Sequence, residues 1–545
     1  MRIGVPKEIK ADERRVAIVP SGVAAFRAHN HRVMVEKGAG LGSGISDEAY
    51  AAAGAEIVPE PRDIWERAEM IIKVKEPLGP EVDWMQPGQI IYTYLHLASD
   101  ETLTRKMLEK GVIGIGYETV QLPDASLPLL APMSEVAGRL AAQIGAHCLE
   151  ASANGMGILL GGVSGVKPLK EDGLLSSFIH SKVFGTVDYP VTYDFKRSFR
   201  KTMGPVAYYA CQVAKETLES SGIGQDLITS GRLGVAFGST HGSPTVQREI
   251  YKTFFGGTQS DVRSIGAVDY LKSMVHTTAV NITKMFGITG RVISSSTACT
   301  TSSQSIGFGY EMIKFGMQDA MLCGGADEYD TTTVAVFDNL LACSTAFNDT
   351  PDQTPRPFDA KRDGLVVGEG AGAVLLEEYE HARKRGATIL GEVIGFSCNN
   401  NGGDLILPNL QGITETIRIG LRDAGISAGE VDFISAHATG TKMGDVIEAQ
   451  AIHNVYGDHP PVVGLKSYMG HTMGSCGVIE TIILLHLMRE GYIVPTLNLS
   501  KIDERCAMIR HSREVKDYPI RTAAVQNFAF GGVNTNLFIR KISQG

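Results

Sequence analysis

The chain has 545 residues, of which 43% are hydrophobic and 20% charged, and carries a formal net charge of −9. At roughly 100 to 200 residues per domain this is about three folding units. The composition excludes an extended disordered tail. The net negative charge argues against a nucleic-acid partner, because affinity for phosphate backbones comes from clustered Lys and Arg. The eight cysteines, Cys148, Cys211, Cys299, Cys323, Cys343, Cys398, Cys476 and Cys506, are scattered without the close pairing of a zinc site or a small disulfide scaffold, which fits a reducing compartment. No run reaches the roughly 18 apolar residues that span a bilayer. The start, MRIGVPKEIK, lacks the apolar stretch of a signal peptide, so a cytoplasmic protein with no membrane partner is expected.

In chain order, the first part alternates short β-like runs with amphipathic segments: RIGVP, VAAFRAHN, HRVMVEKG, DEAYAAAGAEIV, MIIKVKEP, QIIYTYLHL and IGIGYETV. This is an α/β pattern. SEVAGRLAAQIGAHCLEASAN predicts a helix entered through Ser134, with Gly138, Ala141, Ala142 and Ala146 allowing close packing. A glycine cluster, Gly155, Gly157, Gly161, Gly162 and Gly165, then surrounds the short apolar run GILL and marks a junction. Beyond about Lys167 come runs that read as strands buried on both faces: LGVAFGS, RVISSS, AMLCGG, GAVLLEE, ATILGEVIG, VDFISAHA and AAVQNFAF. Helical stretches such as VAYYACQVAKETLESSG and QSIGFGYEMIKFG lie between them, as expected when helices cover a sheet.

RVISSSTACTTSSQSIGFGYEMIKFG places Cys299 where a β-rich run gives way to a helical one. A helix amino terminus stabilises negative charge, so the thiol is expected to ionise more readily than a free cysteine. The alternative for Cys299 alone is a small residue packed beside a sheet. Two histidines change that balance, since each sits in a small-residue loop after a probable strand. His437 lies in SAHATGTKMGD, and His471 in LKSYMGHTMGSCG, with Lys466 five positions before it and Glu480 nine after. A thiolate with two imidazoles suits an acyl transfer in which a carboxylate is lost, because the imidazoles can donate hydrogen bonds to the oxygen where enolate charge develops.

With STACT, AHATGT, KSYMGH and NFAFGGVN in that order, the chain from about Gly165 to its end resembles the β-ketoacyl-acyl carrier protein synthases, and RPFDAKRDGLVVGEGAGAVLLEEYEHA is similar to that family's central segment. The resemblance implies a thiolase-like α/β fold of two similar halves, here 166–385 and 386–545. It implies that Cys299 accepts an acyl group and that His437 and His471 stabilise the enolate formed when malonyl-acyl carrier protein loses carbon dioxide. Lys466 and Glu480 would support the second histidine. The backbone N–H groups of Cys299 and Phe530 would form an oxyanion hole, Phe528 and Phe530 would gate the site, and Thr439 and Thr441 would hold the pantetheine arm. An acyl carrier protein as partner, a homodimer sharing a sheet edge, and no cofactor beyond carrier-borne phosphopantetheine follow in the same way. The basic cluster Lys196, Arg197, Arg200 and Lys201 could steer an acidic carrier, although four charges at a helix start are also commonly just solvated. Two departures stand out: Ala438 replaces the family's glycine after the first histidine, and CNNNGGDLILPNLQG assigns no chain length.

Residues 1–165 resemble the start of alanine dehydrogenase instead, through MRIGVPKEIKADERRVAIVP, IIKVKEP, YTYLHLA and LLAPMSEVAGRLAAQ. That resemblance implies a pyruvate or alanine site at Arg15, Lys75 and His96. A dinucleotide site needs a glycine-rich turn between a strand and a helix; GEGAGA at Gly368 precedes a strand instead, and GIGYET at Gly114 lacks the third glycine. The chain changes family near Gly161 to Val166, and the synthase's opening strand and first helix have no counterpart after the change. That strand is expected to be central in its sheet, so that its loss strands two neighbours at a cost of about 1 to 3 kcal/mol for each unpaired buried backbone group; GMGILLGG, Gly155 to Gly162, could replace it. Three readings remain open: a condensing enzyme with a remnant domain, a hybrid of two incomplete folds with little activity, and an alanine dehydrogenase relative.

Overall fold

The computed structural model describes residues 1–10, 13–95, 97, 101–120, 164–169, 177–187 and 195–542. The chain divides into two compact units, Met1–Ala146 and His147–Gly545. The helix expected from Ser134 and the run GMGILLGG lie outside the described residues.

In the first unit, strands β1 (Arg2–Val5), β2 (Arg32–Glu36), β3 (Glu56–Val58), β4 (Met70–Ile72), β5 (Ile90–Thr93) and β6 (Ile113–Gly116) form one sheet in the order β3-β2-β1-β4-β5-β6. Every pairing is parallel, as the alternating pattern requires when each strand is followed by a crossover helix. Three of those helices open on proline, Pro20–Ala28, Pro61–Arg67 and Pro80–Trp84, where the missing N–H is no loss. Apolar clusters around Ile64, Trp65 and Ile91, and around Val5, Val23 and Tyr50, form its core.

The second unit opens with the antiparallel pair β7 (Val166–Pro168) and β8 (Val183–Gly185). A four-stranded sheet follows, built from β9 (Leu233–Gly238), β10 (Val292–Ile293), β11 (Ala320–Asp327) and β12 (Gly370–Glu377) in the order β10-β9-β11-β12. The remaining strands are β13 (Glu392–Asn400), β14 (Phe433–Ser435), β15 (Pro461–Val463), β16 (Tyr492–Ile493), β17 (Arg510–His511), β18 (Lys516–Asp517), β19 (Thr522–Phe528) and β20 (Val533–Arg540). Six of them form a sheet in the order β13-β20-β19-β14-β15-β17, while β16 pairs with β18.

The two sheets repeat one topology. β9 is parallel to β10 and β11, and β11 is antiparallel to β12; β14 is parallel to β15 and β19, and β19 is antiparallel to β20. The helices Thr301–Lys314 and Cys476–Glu490 share one core with both sheets, in which Ile306, Met321 and Cys323 of one half meet Phe433, Val478, Leu484 and Val525 of the other. Their approach is close enough that a methyl group on Gly477 would lie 2.0 Å from Ser303 Oγ.

This repeat corrects one expectation. The first strand of the second half, β13, is an edge strand that pairs only with β20, and β9 pairs directly with β11 in the first half. By that repeat, an opening strand of the first half would belong beside β12 at an edge and not in the sheet centre. Among the described residues β12 ends the sheet, and only one side of one strand is open. Thr217 Oγ1 donates to the outward carbonyl of Ala373 (3.2 Å), so the loss is smaller than two stranded neighbours would impose.

Candidate active site

Three loops at strand ends carry the expected catalytic side chains. Cys299 sits in the 3₁₀ turn Ala298–Thr300 that leads into helix Thr301–Lys314. Ala298 holds φ +48°, a left-handed value that strains a residue with a Cβ and is kept only where its surroundings fix it. Thr301 Oγ1 accepts the Thr297 N–H (2.9 Å) and Thr300 Oγ1 donates to the Thr297 carbonyl (2.8 Å), which pins the turn. His437 follows β14, and its backbone N–H and that of Ala438 both donate to Glu448, at 2.7 Å each. His471 precedes the second central helix; its N–H donates to the Val366 carbonyl (2.7 Å) and its carbonyl accepts the Gly368 N–H (2.8 Å).

These loops bring the Cys299 sulfur and ring nitrogens of His437 and His471 within 4.8 Å of one another. All three residues are buried, at 5%, 7% and 2% exposure, and the imidazoles stand edge to face with centroids 5.3 Å apart. His437 Nδ1 and both ring nitrogens of His471 bond to no described residue. Burial, with the Lys466 charge, holds both imidazole pKa values well below the ordinary 6.5, so both rings are neutral at neutral pH and each retains one N–H to donate.

The thiol corrects a second expectation. Burial pushes Cys299 up to about 11, and the Lys466 charge and the backbone N–H groups of Phe530 and Cys299 only partly oppose this. Desolvation of the thiolate outweighs the helix amino terminus. The two N–H groups that act on the sulfur are those expected to form the oxyanion hole.

Lys466 and Glu480, both without exposed surface, pair at 2.5 Å. Asn527 Nδ2 donates to the other Glu480 oxygen (2.9 Å), and Ser303 Oγ donates to Asn527 Oδ1 (2.5 Å). Phe528 packs edge to face on His437 with centroids 5.8 Å apart, and Phe530 packs on Phe337 at 5.5 Å. Thr439 and Thr441 lie side by side with hydroxyls 3.1 Å apart. Several participants were not singled out from sequence. Asn527 lies inside NFAFGG, and Glu448 faces the His437 loop from helix Gly444–Tyr456, a spacing that helical periodicity could have flagged. Cys476, whose Sγ donates to the Cys299 carbonyl (3.2 Å), and Asp327 carry no such signal.

In the first unit the Arg15 guanidinium is already engaged: Nε and Nη2 reach the two Glu13 carboxylate oxygens at 2.8 and 2.5 Å, and Arg15 holds the Glu13 carboxyl below its usual range, with Lys75 adding to the effect. Tyr117 stands edge to face with both Tyr92 and Tyr94. His96 lies outside the described residues. Gly370 to Ala373 of GEGAGA run straight into β12, and not into a helix amino terminus.

A buried thiol, two neutral imidazoles with ring nitrogens that bond to no described residue, and converging backbone N–H groups, set between two sheets of repeated topology, define an acyl-transferring thiolase-like enzyme. Family models for the β-ketoacyl synthase amino-terminal and carboxy-terminal domains match residues 159–382 and 390–500. The chain is 31% identical over 383 residues to 3-oxoacyl-[acyl-carrier-protein] synthase 1 of Escherichia coli K12, covering 70% of this chain and 92% of that protein. A crystal structure of a β-ketoacyl synthase from Burkholderia phymatum superposes with a TM-score of 0.68 at 39% identity, covering 71% of this chain and 94% of that one. A type II polyketide ketosynthase bound to a hexaketide and in complex with its acyl carrier protein superposes at 0.65 and 27% identity, over 71% and 94%. The chain belongs to the β-ketoacyl synthase family. Residues 4–137 match the amino-terminal domain model of alanine dehydrogenase and pyridine nucleotide transhydrogenase, and 168 residues are 60% identical to alanine dehydrogenase of Methanococcus maripaludis, of which this chain spans 45%.

Proposed function

We propose that the protein carries out decarboxylative Claisen condensation of an acyl thioester with malonyl-acyl carrier protein, giving 3-oxoacyl-acyl carrier protein. The observation that carries this reading is the convergence of the Cys299 sulfur with ring nitrogens of His437 and His471 within 4.8 Å, with ring nitrogens on both histidines that have no partner among the described residues. In the first half-reaction the sulfur forms a bond to the acyl carbonyl carbon while its proton passes to a neighbouring imidazole, which returns it to the carrier sulfur as the carrier's carbon–sulfur bond breaks and the carrier thiol leaves. In the second, malonyl-carrier loses carbon dioxide, and the enolate oxygen accepts N–H bonds from His437 and His471. The enolate carbon then attacks the Cys299 thioester, the oxyanion is held by the Cys299 and Phe530 N–H groups, and the tetrahedral intermediate collapses to product and free Cys299. Lys466, Glu480 and Asn527 hold the surroundings, Phe528 and Phe530 gate the cavity, and Thr439 and Thr441 bind the pantetheine arm.

The domains on this reading are 1–165, 166–385 and 386–545. The acyl carrier protein docks at Lys196, Arg197, Arg200 and Lys201, a cluster beside the short helix Arg197–Arg200, and the relative solved with its carrier supports that partner. A homodimer through the β10 edge is supported by Val292, 45% exposed on the last strand of its sheet. No helix among the described residues is long and apolar enough to cross a membrane, and the described cysteines are free, which supports a cytoplasmic location. A carboxylate-binding remnant in the first unit is supported by Arg15 and Lys75, which both act on the Glu13 carboxylate.

The test is intact-protein mass after incubation with an acyl-thioester donor, comparing the native chain with Cys299→Ala. An adduct on the native chain alone, followed by carbon dioxide release from malonyl-carrier, is expected. A folded chain that forms no adduct is instead the inactive hybrid. Micromolar NADH binding would revive the dehydrogenase reading.

A further inference from the structure

Asp327, the last residue of β11, is a buried carboxylate, 4% exposed, that touches none of the groups assigned to the reaction. Donors from two distant parts of the chain converge on it. Ser239 Oγ (2.7 Å) and Thr240 N–H (2.9 Å) reach Oδ1, while Thr240 Oγ1 (2.8 Å) and Gly474 N–H (2.7 Å) reach Oδ2. Ser239 and Thr240 follow β9, whereas Gly474 belongs to the loop that carries His471, three residues after it. That loop turns through Met473 at φ +52°, a conformation that needs outside support.

The packing around the carboxylate leaves no slack. A Cβ on Gly474 would stand 2.9 Å from Asp327 Oδ2, 2.8 Å from Thr240 Oγ1 and 3.0 Å from Thr301 Cβ, the first residue of the Cys299 helix. A Cβ on Gly325 would meet the Gly474 carbonyl at 2.8 Å and Ser302 Cβ at 3.0 Å. The His471 loop, the end of β11 and the Cys299 helix are thus in mutual contact, and Asp327 supplies the polar tie among them. A carboxylate is the side chain suited to this place, because it accepts on both oxygens and has no hydrogen to oppose the four donors.

We propose that Asp327 is a positioning residue of the condensing site, tying the His471 loop to β9 and β11 so that the second imidazole faces the reacting carbonyl. This rests on the condensing reading and assigns the residue to one half-reaction. Acylation needs Cys299, the oxyanion N–H groups and one imidazole as proton acceptor, which His437 supplies, whereas loss of carbon dioxide from malonyl-carrier needs both imidazoles as donors to the enolate oxygen. Loosening Gly474 therefore slows the second and spares the first. Misplacement of a catalytic group by about 1 Å costs about a hundredfold in rate.

The test compares the full chain with Asp327→Asn and with Gly474→Ala, which keeps the carboxylate but forces it from the loop. In both, carbon dioxide release per acylated chain is expected to fall at least about tenfold, with acylation of Cys299 by an acyl thioester within about threefold of native. Thr240→Val, which leaves the Asp327 to Gly474 bond intact, is expected to stay close to native in both. A role in stability alone lowers acylation and carbon dioxide release in proportion, through loss of folded chain, and that result, or two variants indistinguishable from native, overturns the proposal. Amide exchange over Thr472 to Ser475 separates this from failure of the condensing reading. If the native chain forms no acyl adduct, faster exchange in Asp327→Asn still sustains the tie, and unchanged exchange refutes it.

Discussion

Burial places Cys299 at about 11 against an ordinary thiol at 9.0, and that difference is measurable. Two pKa units correspond to about 3 kcal/mol against the thiolate, and leave about 0.1% of Cys299 ionised at pH 8, roughly a hundredfold less than a thiol at its ordinary value. Carboxamidomethylation of Cys299, followed by peptide mass mapping, is therefore expected to accelerate about tenfold per pH unit up to about pH 10 without reaching a plateau. Lys466→Met removes the cation that partly offsets burial and is expected to slow the reaction at pH 8 further. A plateau below pH 9 would refute the reasoning and restore the helix amino terminus as the dominant influence. If the profile holds, the resting nucleophile is the thiol, and its proton has to leave as the carbon–sulfur bond forms. The neutral imidazoles within 4.8 Å are its acceptors.

Glu480→Gln leaves Lys466 buried without its counter-charge and is expected to cost about 3 to 5 kcal/mol in denaturant unfolding; a cost under about 1 kcal/mol would mean that the ammonium finds another partner. Glu448, pushed up to about 8 by burial, keeps its proton in the native state while the unfolded chain releases it above the ordinary 4.5, so this group makes stability fall as pH rises from about 4.5 to 8. Glu448→Gln is expected to remove that component, read as the difference between the two stability profiles; parallel profiles would contradict the raised pKa. Ala438 sits at φ +38°, where glycine carries no Cβ penalty, so Ala438→Gly is expected to keep or raise the melting temperature, and a clear fall would show that the methyl contact matters more. The outward amides of Ala373 and Leu375 are expected to exchange with deuterium far faster than those of Gly372 and Val374, which face β11; equal protection would reveal another strand on that edge.

What was legible in the sequence was whatever short-range pattern carries. The cysteine at a strand-to-helix turn, the two histidines in small-residue loops after strands, and the parallel character of the first unit each follow from local residue order. Lys466 and Glu480 were legible as neighbours of His471, but their buried pairing was not, since it depends on one helix folding back on another. The direction of the Cys299 shift was misread for a related reason. The helix amino terminus is a local feature, whereas burial of the thiol depends on how segments distant in sequence pack in the folded chain. Asp327 left no trace because its partners, Ser239, Thr240 and Gly474, are brought together only by the packing of the two halves. The place of the family's opening strand was misjudged because strand order within a sheet is not written in the order of strands along the chain.

That strand order also explains why the site does not depend on the open edge of β12. β12 matters to the chemistry because the segment leading into it holds His471, through the Val366 carbonyl and the Gly368 N–H. Its other edge at this point is not open: the Gly185 N–H donates to the Val367 carbonyl (2.9 Å) and the Gly185 carbonyl accepts the Glu369 N–H (3.0 Å). A Cβ on Gly185 would lie 2.1 Å from the Met469 carbonyl, so β8 is pressed against the chain just before His471 as well. The segment leading into β12 beside the active site thus keeps backbone partners on both sides, and only from Ala371 onward does the outer edge lack a described strand partner. Cys299, His437 and His471 are carried by the ends of β10, β14 and the two central helices, none of which lies on the open edge of β12. Among the described residues the open edge is therefore the far end of one outer strand, away from the three loops that carry Cys299, His437 and His471.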